Sequence, residues 1–364
     1  MHTPEVFIDG VGVFLPDRVA VKDAVEQGWY PAEEATAHQF VGVAVAGDLP
    51  APQMALRAGR SALERSGRAA ADIDVLLYVD SWHQGPDGWH PQYYLQHHLL
   101  GGNVLAAEVR QGCNGMFTAL ELAAGYLRAD AGRRSALLVS ADNFGTPLID
   151  RWRIGPGFIA GDASAAVVLT VDEAFARLCS VCSVTVADAE EMHRSGDPLF
   201  PPAATVGRSL DFCLRAEDFK RRALASPTMM ASLIEVQKQV IETAYRALAE
   251  AGIGIKDVSR VLFTNVSREV VEHRVMAALG LSLSQSTWDF GRTVGHLGAS
   301  DQVVSLEHLL VTGQLAAGDH VLMLGTGPGV TISGAVIQIL ALPAWSASSR
   351  PPDDSIRAPR GWGA

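Results

Sequence analysis

The sequence predicts an α/β fold in which strands and helices alternate and pack in layers. Short segments rich in β-branched residues alternate with segments of helical periodicity, a pattern typical of largely parallel sheets covered by helices. The chain has 364 residues, of which 48% are hydrophobic. This is enough material for two domains, or for one large domain built from two halves.

The predicted elements follow the same plan in each half. The first half is expected to contain strands at 5–13, 75–80, 135–141 and 163–170, and helices at 53–66 and 116–127. The second half is expected to contain strands at 177–186, 261–265 and 321–325, helices at 230–250, 270–279 and 301–310, and an irregular stretch at 190–212. We therefore predict halves at 1–175 and 176–342. The tail at 343–364 lacks periodicity and is predicted to be disordered.

Composition and charge exclude several classes of protein. The 29 Lys and Arg residues against 40 Asp and Glu residues give a net charge of −11, which argues against a broad nucleic-acid-binding face. The longest apolar runs are far shorter than the roughly 20 residues that cross a bilayer, so we predict no membrane segment. No export-signal pattern opens the sequence and the four cysteines are scattered, so we expect a cytoplasmic protein.

Two of the cysteines form a C-x-x-C pattern that is typical of metal or redox sites. Cys179 and Cys182 lie within a β-branched strand pattern, where positions three apart face opposite sides of a sheet. No second cysteine or histidine pair follows at the spacing of a zinc site. We therefore predict buried or surface thiols here and no metal site.

Cys113 is the candidate nucleophile. It lies in Gln111-Gly112-Cys113-Asn114-Gly115-Met116, where an apolar stretch meets a helical pattern. A helix N-terminus and a nearby imidazolium both stabilise a thiolate, which is the nucleophilic form of cysteine. Such a cysteine can hold an acyl group as a thioester.

A histidine and an aspartate far downstream are the candidate base and its partner. His296 can remove a proton from an attacking group if a carboxylate fixes its tautomer and stabilises its imidazolium. Asp301 is that carboxylate, provided that the intervening turn folds back. Asp301 could instead cap the helix that begins at this point. His193, in the irregular stretch, is a further candidate for the acceptor pocket.

The order of these motifs resembles the thiolase superfamily, and specifically ketoacyl-carrier-protein synthase III, from about residue 6 to about residue 339. The motifs are Gly-Cys-Asn-Gly at 112–115, Leu-Leu-Val-Ser-Ala-Asp at 137–142, Gly-Asp-Ala-Ser-Ala-Ala-Val-Val-Leu at 161–169, Val-Gly-His at 294–296 and Gly-Thr-Gly-Pro-Gly-Val at 325–330. The resemblance implies a thiolase-like fold of αβαβα layers, a homodimer, and a thiol at the buried end of a pantetheine tunnel.

The chain departs from the decarboxylating members of that family. Those members carry a His after a strand and an Asn in a later Gly-Asn pair, where this chain has Thr264-Asn265 and His296. In condensation, His and Asn donate hydrogen bonds to the enolate oxygen, so their loss argues against carbon-carbon bond formation. We assign Thr264 and Asn265 to the acceptor pocket instead.

A subgroup of synthase III-like acyltransferases of polyketide-antibiotic assembly resembles the Cys113, His296 and Asp301 pattern. The resemblance implies acyl transfer from a carrier-protein or coenzyme A thioester to the hydroxyl of a small molecule, such as a glycosylated polyketide, or to a carrier protein. No cofactor is expected beyond the acyl-pantetheine donor. Related synthases grip coenzyme A with an Arg and a Trp, both missing at 39–43, which favours a carrier-protein donor.

The oxyanion of the acyl intermediate needs two backbone N–H donors. We assign these to Cys113 and to Gly327 in the Gly-rich loop at 325–330, where Pro328 cannot donate. Two other functions stay open at this point. A starter-unit synthase would release carbon dioxide from a malonyl donor, and a catalytically silent dimeric partner of another synthase would keep Cys113 unacylated.

Overall fold

The computed structural model describes residues 1–145, 149–197, 199 and 211–348. Its strands are β1 (Phe7–Phe14), β2 (Arg18–Ala20), β3 (Gly42–Ala44), β4 (Val75–Asp80), β5 (Leu105–Arg110), β6 (Ser135–Asp142), β7 (Ala163–Thr170), β8 (Ala176–Thr185), β9 (Val258–Leu262), β10 (His320–Gly327) and β11 (Thr331–Ile339). Its helices are α1 (Val21–Glu26), α2 (Ala32–His38), α3 (Ala51–Ser66), α4 (Pro91–Leu95), α5 (Gly115–Arg128), α6 (Phe212–Leu224), α7 (Pro227–Ala251), α8 (Trp288–Gly291), α9 (Asp301–Val311) and α10 (Ala344–Ser348). Within these residues no helix is both long and apolar enough to span a membrane.

Nine strands form one continuous sheet in the order β5-β4-β6-β7-β1-β8-β11-β10-β9. The junction between the strands of the two predicted halves is short, because β1 and β8 pair only through Phe7 with Arg177 and Ile8 with Ala176. The expectation of a largely parallel sheet is wrong. Only β4 with β5, β4 with β6, and β9 with β10 are parallel. The remaining pairs are antiparallel. For β10 and β11 the short connection between the two strands requires this direction.

Helices cover both faces of each portion of the sheet and give the predicted αβαβα layers. Helix α3 packs on the outer face of β1, β7 and β6, where the backbone of Ala62 and Ala58 lies against Gly10 and Gly12 of β1. Helices α5 and α9 lie together in the central layer, and their apolar side chains contact both portions of the sheet. Helix α7 covers the outer face of β8, β10 and β11. The fold therefore carries two turns, before α5 and before α9, into its centre.

The two cysteines of β8 lie on the same side of the sheet, which corrects the prediction of opposite faces. The pairing of β8 with β11 is irregular here, because Ser180 and Leu178 pair with consecutive residues of β11 and leave Cys179 as an extra residue. Such a bulge shifts the alternation of side chains by one position. Cys179 and Cys182 are both buried in the apolar cluster under α7.

Part of the predicted disordered tail is ordered. Helix α10 occupies Ala344–Ser348, where the ring of Trp345 packs edge-on against Phe175 at 5.9 Å and the guanidinium of Arg65 lies 4.4 Å from the same indole. The prediction was wrong for these residues, because a single aromatic anchor leaves no periodicity in the sequence. Residues 349–364 lie outside the described part of the chain.

Candidate active site

Cys113 lies in a turn between β5 and α5, at the start of the central helix. Residues Gly112–Asn114 form a short 3-10 turn that leads directly into α5. Gly112 has a φ of +55°, and a methyl group at this position would lie 2.5 Å from Cδ of Pro328. The loop that follows β10 therefore rests on the turn that carries Cys113, and only glycine fits this approach.

The structure brings Cys113, His296 and Asp301 into one hydrogen-bonded chain. Sγ of Cys113 is 2.8 Å from Nε2 of His296, although 183 positions separate the two residues in the sequence. Nδ1 of His296 is 2.5 Å from Oδ2 of Asp301. The imidazole thus contacts the thiol on one side and the carboxylate on the other, which is the geometry of a nucleophile, a base and an orienting acid.

The turn between His296 and Asp301 folds back as the sequence analysis required. Residues Gly298–Ser300 form a 3-10 turn, and Asp301 is the first residue of α9. Its carboxylate makes no capping hydrogen bond to α9. Oδ1 instead accepts a hydrogen bond from the N–H of Leu297 at 2.8 Å. The geometry favours the role of Asp301 as the partner of His296 over the role of a helix cap.

Asn265 corrects one assignment of the sequence analysis, because its side chain turns away from the cavity toward Asp301. Nδ2 of Asn265 donates to Oδ1 of Asp301 at 2.8 Å and to the carbonyl oxygen of Gly295 at 2.9 Å. Its backbone N–H donates to Oδ2 of Asp301 at 3.0 Å. Asn265 therefore holds the carboxylate in place, and no local pattern links two residues that lie 36 positions apart.

The imidazole of His296 is buried, and its proton affinity depends on its two partners. The ring of Phe158 packs edge-on against it at 5.1 Å. Burial by itself lowers the pKa of His296, but the negative charges of Cys113 and Asp301 and the hydrogen bonds to both outweigh burial and raise this pKa well above 6.5. The two partners therefore favour the protonated form of His296.

A cavity of about 510 Å³ opens onto Cys113 and His296. Its walls are mostly apolar and come from both halves of the chain; they include Trp82, Phe144, Phe158, Phe212, Val240 and Phe263. Among the polar atoms of its lining, Oγ1 of Thr264 and Nδ1 of His193 are buried and have no hydrogen-bond partner among the described residues. Burial, with the nearby charge of Arg215, lowers the pKa of His193 to about 4, so its ring is neutral at pH 7. Both residues are thus free to bind a polar group of a substrate.

Gly327 lies beside the Cys113 turn, at the end of β10. It lines the same cavity, and a methyl group on it would lie 3.1 Å from the backbone nitrogen of Asn114. The amide of Asn114, which the sequence analysis did not single out, donates to the carbonyl oxygen of Thr331 at 2.8 Å and so ties the turn to β11. The N–H groups of Cys113 and Gly327 remain the predicted oxyanion donors.

A buried ion pair stabilises the loop between β6 and β7, which forms one wall of the cavity. The guanidinium of Arg151 donates two parallel hydrogen bonds of 3.0 Å to Asp162. The same carboxylate accepts from the backbone N–H of Ala46 and Phe144 at 2.8 Å each. Removing one partner of such a pair would leave a buried charge without compensation. In the sequence Asp162 is visible only as part of the motif at 161–169, and no local pattern marks Arg151 as its partner.

The described residues contain no cluster of three or more His, Cys, Asp or Glu side chains with the geometry of a metal site.

Two family models match this chain. The model described as 3-oxoacyl-[acyl-carrier-protein] synthase III matches residues 107–185, and the model of the C-terminal part of the same enzymes matches residues 248–339. The first range contains Cys113, and the second contains both His296 and Asp301. The two parts of the chain that supply the candidate catalytic residues are therefore the parts that the family models recognise.

Curated relatives and solved structures agree with the family models. The β-ketoacyl-[acyl-carrier-protein] synthase III of Rhodobacter capsulatus is 25% identical over 348 residues, covering 92% of this chain and 99% of the relative. The 3-oxoacyl-[acyl-carrier-protein] synthase III of Aquifex aeolicus shares the fold with a TM-score of 0.71 at 18% identity, covering 92% of this chain and 99% of that structure.

A third comparison is much closer in sequence. The structure of ChlB3, named as an acyltransferase, is 56% identical with a TM-score of 0.89, covering 93% of this chain and 99% of that chain. At this identity and coverage the relationship extends over the whole fold and does not rest on isolated motifs. The chain therefore belongs to the 3-oxoacyl-[acyl-carrier-protein] synthase III family of the thiolase superfamily, as its motifs predicted.

Proposed function

We propose that this protein is an acyltransferase that carries an acyl group on Cys113 and passes it to an acceptor without decarboxylative condensation. The observation that carries the proposal is the continuous chain from Sγ of Cys113 through His296 to Asp301 at 2.8 and 2.5 Å. The likeness to ChlB3, which bears the name acyltransferase, supports the same class of reaction.

In the first half-reaction the Cys113 thiolate attacks the carbonyl carbon of an acyl-pantetheine thioester. The carbonyl oxygen becomes an oxyanion, and we assign its stabilisation to the N–H groups of Cys113 and Gly327. The carbon-sulfur bond to pantetheine then breaks, and the departing thiolate takes the proton of His296. The products are a thioester on Cys113, a free pantetheine thiol and a neutral imidazole.

In the second half-reaction the neutral His296 accepts the proton of the acceptor hydroxyl. The oxygen attacks the thioester carbon, the bond to Sγ breaks, and the thiolate of Cys113 is restored beside an imidazolium. Acylation removes the negative charge of Cys113, which is one of the causes that raise the pKa of His296 in the free enzyme. Acylation therefore lowers the pKa of His296, so that more of the imidazole is neutral and able to accept a proton at the stage where a base is required.

Condensation requires a different set of groups at the same place. Thr264 and His296 occupy the positions where condensing members of the family are expected to carry His and Asn, and Thr264 offers the cavity a single hydroxyl. One hydroxyl is a weaker electrostatic partner for a developing enolate than the His and Asn pair. Release of carbon dioxide from a malonyl thioester in step with product formation would instead identify a condensing enzyme.

The proposal extends to the donor and the acceptor. The family acts on carrier-protein or coenzyme A thioesters, and we infer a carrier-protein donor because the coenzyme A-gripping residues are missing at 39–43. The acceptor is the hydroxyl of a small molecule, such as a glycosylated polyketide, or a second carrier protein. We also propose that the protein is a homodimer and that it acts in the cytoplasm. The mostly apolar walls fit an apolar acyl group, and the Thr264 hydroxyl and the His193 imidazole are available to polar groups of the acceptor.

Intact-protein mass spectrometry after incubation with a panel of acyl-carrier-protein and acyl-coenzyme A thioesters tests the proposal. We expect a covalent mass increase equal to the acyl group, and its loss when an acceptor alcohol is added. No mass increase with any thioester of the panel would favour the alternative of a catalytically silent partner.

Replacing Asp301 with Asn should slow transfer much more than loading. The amide cannot stabilise the imidazolium that forms as His296 takes the acceptor proton, and it can hold the wrong tautomer of the ring. We expect the transfer rate to fall by about 10²-fold or more while the acyl-enzyme still forms. Single-turnover measurements on pre-acylated enzyme check this, and an unchanged transfer rate would reduce Asp301 to a structural residue.

Replacing Thr264 with Val should raise the KM for the acceptor with little effect on acylation. Valine has nearly the same shape but lacks the hydroxyl that is free to bind the acceptor. A lost hydrogen bond to a neutral group corresponds to about 0.5–1.5 kcal/mol, or about two- to tenfold in affinity. Thr264→Ser keeps the hydroxyl and serves as the control. Equal KM values for the Val and Ser variants would remove Thr264 from acceptor recognition.

A further inference from the structure

A buried carboxyl group that the mechanism does not use lies close to the turn Gly298–Ser300, between His296 and Asp301, which we call the catalytic turn. Asp142 ends β6, and its side chain is fully buried. Its Oδ1 accepts hydrogen bonds of 2.8 Å from the backbone N–H groups of Ser81 and Trp82. Its Oδ2 is buried as well and has no hydrogen-bond partner among the described residues. Half of this carboxyl group is thus anchored and half is free.

The free oxygen lies directly against Gly298, in the turn between His296 and Asp301. A methyl group built on Gly298 would lie 2.5 Å from Oδ2 of Asp142, closer than real Cβ atoms come to any neighbour. Gly298 also has a φ of +59°, a left-handed conformation that favours glycine. Asp142 therefore limits how closely the turn approaches β6, and so affects where the Asp301 carboxylate meets the imidazole.

The charge of Asp142 changes near neutral pH. Burial raises its pKa to about 7, against the opposing effects of the backbone N–H groups of Ser81 and Trp82, of the Ser81 hydroxyl and of the charge on His296. The interaction with His296 is mutual, so ionised Asp142 favours the protonated imidazole. The other titratable groups that face Asp142 are Tyr78 and Asp80 of β4, whose pKa values the charge of Asp142 raises in turn.

We propose that Asp142 is a positioning residue of the catalytic turn: it holds the turn through Gly298 and, once ionised, adds a negative charge that keeps His296 protonated. This inference rests on the proposed function, in which neutral His296 is the base. It implies that ionisation of Asp142 opposes the transfer step as the pH rises.

The variant Asp142→Asn tests the charge, because the amide imitates the protonated carboxyl group and keeps the acceptor oxygen. Two rates are measured from pH 5.5 to 8.5 in both proteins: alkylation of Cys113 by iodoacetamide, and transfer from pre-acylated enzyme. We expect the ratio of variant to wild-type rates to be constant below about pH 6 and to change by about two- to tenfold between pH 6 and 8. For transfer, the ratio should rise with pH.

A ratio that does not depend on pH would overturn the electrostatic role, since a merely structural change lowers the rate equally at every pH. The alkylation readout separates this inference from the proposed function. If no thioester acylates Cys113 but the alkylation ratio still changes around pH 7, the proposed function fails and the inference stands. If acylation proceeds and both ratios stay flat, the inference fails and the proposed function stands.

A second pair of variants tests the contact between Asp142 and Gly298. It tests the positioning role of Asp142 even if Asp142→Asn does not fold. Gly298→Ala places a methyl group against Asp142, whereas Gly313→Ala, just beyond the other end of α9, introduces a methyl group at a similar φ of +68° with no atom within 4 Å. We expect Gly298→Ala to slow transfer by about tenfold or more through displacement of the turn. Gly313→Ala should stay within about twofold of wild type. Equal rates for two folded variants would overturn the positioning role.

Discussion

Replacing Cys113 with Ala is expected to abolish the acyl-enzyme and to lower acyl transfer on the order of 10³-fold or more. The thiol is the only group at this site that accepts the acyl chain covalently in the proposed mechanism, and His296 alone has no bound thioester to act on. Intact-protein mass spectrometry reports the missing adduct, and steady-state kinetics with varied donor and acceptor should change from ping-pong behaviour to no measurable turnover.

Cys213→Ala is the matched control for this experiment. Burial raises the pKa of the Cys213 thiol to about 11, so this second partly buried cysteine is a poor nucleophile at neutral pH. The control should load and transfer like the wild type. Normal transfer by Cys113→Ala, or an adduct that persists in it, would show that the acyl group does not travel on Cys113.

Replacing His296 with Ala is expected to separate the two half-reactions. Acylation should continue at a reduced rate, because the thiolate loses its imidazolium partner, while transfer should fall by about 10²–10⁴-fold through loss of the base. The acyl-enzyme should therefore accumulate, and rapid-quench mass spectrometry should detect it as a stable species in the presence of the acceptor. An acyl-enzyme that turns over at the wild-type rate would remove His296 from the mechanism.

His296→Asn gives a sharper version of the same experiment. Asparagine is the residue expected here in condensing members of the family, and it can hydrogen-bond but cannot take a proton. We expect this variant to load and to stall like the Ala variant. If it transferred normally, a hydrogen-bond donor would suffice at this position and general-base catalysis would be wrong.

The sequence was informative about the site where its signals are local. Cys113 lies between Gly112 and Gly115, where a strand pattern changes to a helix pattern. His296 and Asp301 are five positions apart in a Gly-rich turn. The chemistry of each residue could therefore be predicted from its neighbours. The support for these residues is not local. Asn265 reaches Asp301 across 36 positions, and Asp142 reaches Gly298 from another strand, so only the folded chain reveals them.

The fold shows the same limit. Strand β4 was predicted with its observed bounds because Val75–Asp80 is strongly apolar, whereas β5 was missed because Leu105–Arg110 carries two alanines and two charged residues on an edge strand. The direction of the strands also could not be predicted from composition. It depends on which connections are short turns and which are helical crossovers, and this is a property of the whole topology.

Cys113 and His296, the proposed nucleophile and base, lie on opposite sides of the β1–β8 junction, which consists of only two paired residues on each strand. A nascent or partly denatured molecule in which one side has folded and the other has not would carry a cysteine without an activating partner. Such a molecule could not capture acyl groups prematurely. Activity therefore depends on contact between the two sides. During denaturation we expect activity to be lost as soon as the two sides separate, even while each side retains its helices.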